Sequence, residues 1–120
     1  MAAPNIVNIT TMTGKMSVTN LSTTNSTSIL SNPTSSNKAL KVNFLRVTNV
    51  DGTNDSDITI SVSDNGTVGY LAYTIAVPAD TTLTLVGRND SFYLEENDSI
   101  SAEASLADHL SVVVSYEEIS

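Results

Sequence analysis

The chain has 120 residues, enough for one ordinary domain and one hydrophobic core. It contains no cysteine and a single histidine, which excludes a disulfide framework, a thiol nucleophile, cysteine-ligated zinc or iron–sulfur centres and clusters of imidazole ligands. Thirteen acidic against five basic side chains give a net charge of −8, so a nucleic-acid backbone or an anionic membrane surface would be repelled, leaving contact with other proteins as the expected work.

Ser, Thr and Asn together supply 45 residues, far more than the charged residues do. Such polarity would suit a disordered chain, but 40% of the residues are apolar, with many Val, Ile and Leu, and β-branched side chains favour a pleated, half-buried surface. The expectation is an all-β domain. The first residues, Met1-Ala2-Ala3-Pro4-Asn5, lack the basic segment and apolar run of a signal peptide, so synthesis and folding are expected in the cytoplasm. The seven Asn-x-Ser/Thr sequons are then expected to stay unmodified.

Period-two alternation recurs about every ten residues. A first strand is predicted over Ile6 to Met12, then Thr13-Gly14 and a second extended piece around Met16, Val18 and Leu21. Residues 1–21 read as an N-terminal arm with little that must join the core, able to exchange a strand with a neighbouring subunit; residues 22–120 read as the sandwich domain. Ser22 to Ser28 form a loop, Ile29-Leu30 a short strand, and Ser31 to Asn37, with Pro33, a strong break. Leu40, Val42 and Phe44 alternate, after which Leu45 and Val47 take the opposite parity, the mark of a β-bulge.

After a turn at Asp51 to Asn54, Ile58, Ile60 and Val62 alternate again. Asn65-Gly66 is the pair that tolerates positive φ at both central positions of a type I′ hairpin. The next strand, Val68 to Val77, is expected to place Leu71, Tyr73, Ile75 and Val77 on one face, with Tyr70 and Tyr73 on opposite sides. Pro78-Ala79-Asp80 ends it. Leu83 and Leu85, then Phe92 and Leu94, then Ile100 to Leu106, and finally Val112, Val114 and Tyr116 complete the series. About eight strands exceed one flat sheet, so a single-domain antiparallel β-sandwich or jelly roll is expected.

Candidate sites are few. Asp51, Asp55 and Asp57 offer hard oxygen ligands suited to calcium, but their spacing fails the EF-hand pattern, and the alternative is a loop whose Asx side chains cap their own backbone. Glu95, Glu96 and Asp98 imitate a glycosidase pair, yet adjacent residues on a strand face opposite sides and only six aromatics exist, so a solvated turn is expected. Asp108-His109 lacks any accompanying nucleophile elbow and reads as a turn. Lys38, Lys41 and Arg46 form the one local basic surplus, either a contact for an acidic partner or a solubilising stripe. Ile6, Val7, Ile9 and an exposed Tyr70 are the candidate interface residues. No cofactor is required, calcium being the one candidate.

Four segments carry a family resemblance: Ala3-Pro4-Asn5-Ile6-Val7-Asn8-Ile9-Thr10, Val47-Thr48-Asn49-Val50-Asp51-Gly52-Thr53-Asn54 running into Asp57-Ile58-Thr59-Ile60, Val77-Pro78-Ala79-Asp80-Thr81-Thr82-Leu83, and Tyr93-Leu94-Glu95-Glu96-Asn97-Asp98-Ser99-Ile100. They resemble short virion structural proteins of tailed marine bacteriophages, the cyanophages above all. The resemblance implies a non-enzymatic β-sandwich subunit, a capsid decoration (cement) protein that binds the major capsid protein of the assembled head as a homo-oligomer, a trimer for preference. A tail- or fibre-associated module that binds host surface glycan, with calcium at Asp51, Asp55 and Asp57, is the alternative.

Overall fold

Strands form wherever β-branched and aliphatic residues alternate with Ser and Thr, because only the pleated backbone puts every second side chain on one face. The computed structural model describes residues 11–87 and 89–120. Nine strands follow in order: β1 (Met12–Asn20), β2 (Thr27–Ser31), β3 (Ala39–Asn49), β4 (Ser56–Asp64), β5 (Thr67–Val77), β6 (Thr82–Val86), β7 (Phe92–Leu94), β8 (Ser99–Ala104) and β9 (Leu110–Ile119). They make two sheets, one ordered β1-β9-β3-β6 with β7 also on β3, the other β2-β8-β4-β5. Every pairing is antiparallel.

The connectivity is that of one long hairpin wound over itself. Its tip is β4–β5, and β3–β6, β2–β8 and β1–β9 follow toward the chain ends, with β3 lying on β9 and β4 on β8. This is the jelly-roll arrangement with one short additional strand, β7. The expected all-β antiparallel sandwich is the observed fold.

The inner faces are aliphatic. Leu40, Val42, Leu45, Val47, Val112 and Val114 of one sheet face Ile58, Ile60, Ile100 and the small Ala102 and Ala104 of the other. Fully burying each Leu, Ile or Val contributes about 1.5–3 kcal/mol. The hairpin at Asn65-Gly66 has φ of 49° and 100° there, as a type I′ turn requires. The parity change expected in β3 falls one residue earlier. Asn43 is the extra residue against β9, which turns Phe44 out of the core and under the Arg46 guanidinium, 4.7 Å from the ring centroid.

Two sequence expectations differ from the structure nearer the N-terminus. Residues 12–20 of the expected arm run unbroken through Thr13-Gly14 as β1, paired with β9 of the same chain, and Leu21 is buried in the core. Thr11 and Ser120 extend that ladder by exchanging both backbone hydrogen bonds. The sandwich therefore begins by Thr11 in the single chain. Gly14 interrupts nothing because, paired opposite Glu117, it takes an ordinary strand conformation.

Candidate interaction surface

Strand β5 is where sequence alternation and burial part company. Only Ala72 and Val77 of its eleven residues are buried, while Val68, Tyr70, Leu71, Tyr73 and Ile75 are exposed. Two bulges explain this. Ser61 pairs with Tyr70 and Ile60 with Ala72, which leaves Leu71 extra; Ile58 pairs with Ile75, which leaves a second extra residue at Tyr73-Thr74. Thr74 takes φ 48°, and its N–H donates to Thr59 Oγ1 at 3.0 Å.

Each bulge reverses parity. Tyr70 and Tyr73 consequently share the outer face, their rings meeting edge-on with centroids 5.0 Å apart, rather than facing opposite ways. Tyr70 is 57% and Tyr73 64% exposed. Leu71, Tyr73, Ile75 and Val77 correspondingly do not form one buried face. Besides its apolar content, β5 carries no charged residue and, among the described residues, has no partner strand on its outer edge. Edge strands are ordinarily blunted by charge or proline.

The candidate interface residues Ile6, Val7 and Ile9 lie outside the described residues. The described part of the N-terminal segment has its own exposed side chains, Met12, Met16 and Val18 of β1. Met16 and Val18 stand two apart, opposite Ser115 and Val113, on the outer face of the first sheet. A count of exposed hydrophobics along an edge strand, rather than an amphipathic period, is the signal that finds them.

The acidic loop caps backbone amides. Asp51 Oδ2 accepts hydrogen bonds from the Thr53 and Asn54 amides, and these hold its carboxyl below the usual aspartate range, with the Asn54 bond the larger cause. Asp55 Oδ1 accepts from the Ala79 amide at 3.1 Å, and the Asp57 amide donates to Ser105 Oγ at 2.8 Å on the far side of β4. Among the described residues no three His, Cys, Asp or Glu side chains are grouped to hold a metal ion. Backbone amides thus hold Asp51 Oδ2 and Asp55 Oδ1, the self-capping geometry that the sequence offers as the alternative to calcium.

The other candidates resolve into turn chemistry. Asp98, 8% exposed, accepts from the Asn65 amide on Oδ1 and the Glu95 amide on Oδ2, which joins the β7–β8 turn to the hairpin. Glu96 Oε2 accepts from the Asn37 amide. His109 sits in the turn before β9, its carbonyl accepting from Val50 N–H and its Nδ1 buried without a partner among the described residues. Lys38 leaves the basic group: it and Lys15 converge on Glu118, at 2.7 and 3.1 Å. Lys41 and Arg46 remain together, lining an open hollow of about 430 Å³ with Asn43, Phe44, Gly87 and Ser91.

Two buried asparagines carry structural roles that alternation could not reveal. Asn32 Nδ2 donates to the carbonyls of Lys38 and Leu94, and its Oδ1 accepts from Ser36 Oγ. Asn49 Nδ2 donates to those of Asn54 and Val77, and its Oδ1 accepts from the Asp51 amide. Each asparagine uses both ends of its amide to hold a loop closed.

No protein-family profile matches the sequence, and no curated protein matches it. Two solved structures align over 98% of the chain. Both are pentameric capsid proteins isolated from metagenomic phage sequences, 20% and 19% identical, each with a TM-score of 0.37. The chain spans 68% and 63% of their respective lengths.

Proposed function

We propose that the chain is a non-enzymatic structural subunit of a phage virion, a capsid decoration (cement) protein that binds the assembled head as a homo-oligomer and resists its rupture. The observation that carries the reading is the uncharged, apolar β5 strip, without a partner on its outer edge among the described residues, on a subunit of net charge −8. Apolar side chains held outward on a rigid sheet gain free energy when a protein surface covers them. The jelly-roll connectivity supports the same reading by analogy, since viral capsid domains use it, as do lectins and cupins. The resemblance of the four quoted segments to short phage virion proteins points the same way.

Residue chemistry suits the role. With no cysteine for a disulfide, the sandwich rests on aliphatic packing and satisfied asparagines. In seawater-like salt the surplus of carboxylates is screened, because the Debye length shrinks to a few ångströms toward molar salt. Weak contacts repeated over a lattice add up to firm attachment without any single strong one. The major capsid protein is the expected partner, and a trimer the expected assembly.

Quantitative mass spectrometry of purified particles tests the proposal, together with titration of the purified chain onto capsids lacking it. The expected result is saturable binding and copies in the hundreds per particle. Absence from the particle overturns the reading, and so does a copy number of about a dozen or fewer, which is a tail or neck stoichiometry with little lattice avidity.

A further inference from the structure

Of the twelve asparagines, Asn65 is the one that glycine follows. The side-chain carbonyl carbon of an asparagine and the next backbone nitrogen can close an imide ring, and the following side chain is the usual obstacle. Gly66 has no side chain, and nothing lies within 4 Å of where its Cβ would stand. Both residues are exposed at the tip of the β4–β5 hairpin. Asn32 and Asn49 are the contrast: both are buried, with bonds at both ends of the amide.

The two ends of the Asn65 amide differ. Its Oδ1 accepts from Asn97 Nδ2 of the β7–β8 turn. Its Nδ2, the nitrogen that would leave as ammonia, has no hydrogen-bond partner among the described residues. The Gly66 N–H donates to Ser63 Oγ at 3.3 Å, a long bond at an exposed site. A donor fixed on the carbonyl oxygen stabilises the negative charge that this oxygen gains when its carbon is attacked.

We propose that Asn65 is a self-modification site of the folded chain, cyclising on Gly66 and reopening to aspartate and isoaspartate, with Asn97 as the donor to its carbonyl oxygen. Solvent base takes the Gly66 amide proton, and the nitrogen attacks Asn65 Cγ. The new C–N bond displaces Nδ2, which takes a proton from water and leaves as ammonia. Water then adds to either carbonyl of the imide, and each product carries one new carboxylate.

That charge arrives next to Asp64 and close to Asp98, which is 8% exposed and accepts from the Asn65 amide. The isoaspartate product also lengthens the backbone of a turn built on two residues of positive φ. The modification therefore loosens the tie between the hairpin and the β7–β8 turn, an irreversible ageing of the subunit.

Peptide mapping of the purified full-length chain, held folded at mildly alkaline pH and sampled over time, is the test. Aspartate and isoaspartate are expected to accumulate in the peptide containing Asn65, faster at higher pH and well ahead of the exposed Asn25, which serine follows. Asn97→Gly tolerates the φ of 72° and removes the donor, so it is expected to slow the reaction about 2- to 10-fold, the worth of one hydrogen bond. Should that variant lose its fold by circular dichroism, Asn97→Asp, which cannot donate at that pH, replaces it. The melting temperature of the aged chain is expected to fall in step with the modified fraction.

Reaction at Asn65 no faster than at Asn25 overturns the inference, as does a product without isoaspartate. An unchanged rate in the folded donor variant overturns it too, and so does an aged chain that melts like the fresh one. None of these outcomes alters the copy number in purified particles, on which the virion reading stands or falls separately.

Discussion

The Asn49 side chain donates to the Val77 carbonyl at 2.9 Å, tying the end of β3 to the end of β5 across the sandwich. The same amide group reaches the Asn54 carbonyl at 2.9 Å, and its oxygen takes the Asp51 amide. Three backbone groups at this end of the molecule depend on one buried side chain. Asn49→Ala is expected to lower the stability by about 1–3 kcal/mol, the cost of leaving buried backbone groups unpaired. Asn54→Ala keeps the backbone carbonyl and is expected to change little. Urea unfolding of the two variants checks the contrast.

The two glycines Gly66 and Gly14 should respond oppositely to alanine. Gly66 has φ near +100°, where a Cβ is strained whatever the space, so Gly66→Ala is expected to cost about 1 kcal/mol or more. A Cβ on Gly14 meets nothing within 4 Å in an ordinary strand conformation. Gly14→Ala is expected to be neutral or stabilising by up to about 1 kcal/mol, since alanine has less unfolded-state entropy to lose. Thermal melting of both variants decides it.

Core and surface positions on adjacent strands separate just as cleanly. Ile60 is fully buried between the sheets, and Ile60→Ala is expected to cost about 2–5 kcal/mol, the lost burial plus the cavity left behind. Tyr73, across the bulge on β5, is exposed, and Tyr73→Ala is expected to stay within about 0.5 kcal/mol of wild type when unfolding is followed on the dissociated chain.

Acid should loosen the junction of β1, β9 and the start of β3. Hydrogen bonds from Lys38 and Lys15 hold the Glu118 carboxyl below the usual glutamate range, so on unfolding it would take up a proton that the folded chain does not bind. Its contribution is therefore present above the unfolded glutamate pKa and is lost as pH falls through the lowered folded value. Asp51, lowered by the Asn54 and Thr53 amides, acts with the same sign. Glu118→Gln is expected to cost about 1 kcal/mol near neutral pH and almost nothing near pH 3, measured by urea unfolding at both.

Calcium should leave the fold indifferent. With one oxygen each of Asp51 and Asp55 committed to amides, millimolar calcium is expected to shift the melting temperature no more than magnesium does, and chelator to leave it unchanged. A calcium-specific rise in melting temperature that Asp55→Asn abolishes would restore the loop as a metal site.

Much of the fold was legible in the order of the residues because strand alternation is a local property. Ile58, Ile60 and Val62 alternate with Thr59 and Ser61, and that alone orients β4; Asn65-Gly66 admits few conformations other than the hairpin turn observed. The parity change in β3 was readable to within one residue. The acidic loop's capping role was readable too, as one of two alternatives, from the spacing of Asp51 to Thr53 and Asn54.

What local pattern could not supply were relations set between distant segments. The bulges of β5 exist only in its register against β4, and they alone bring Tyr70 and Tyr73 to one face. Asn32 and Asn49 look like any of the twelve asparagines until the sandwich closes over them. Whether Met16 and Val18 are core or surface is undecided by their alternation; it follows from β1 being last in its sheet, with no second layer above its outer face among the described residues. Side-chain direction is a matter of neighbouring dihedral angles, whereas exposure depends on what the rest of the chain brings up against that direction.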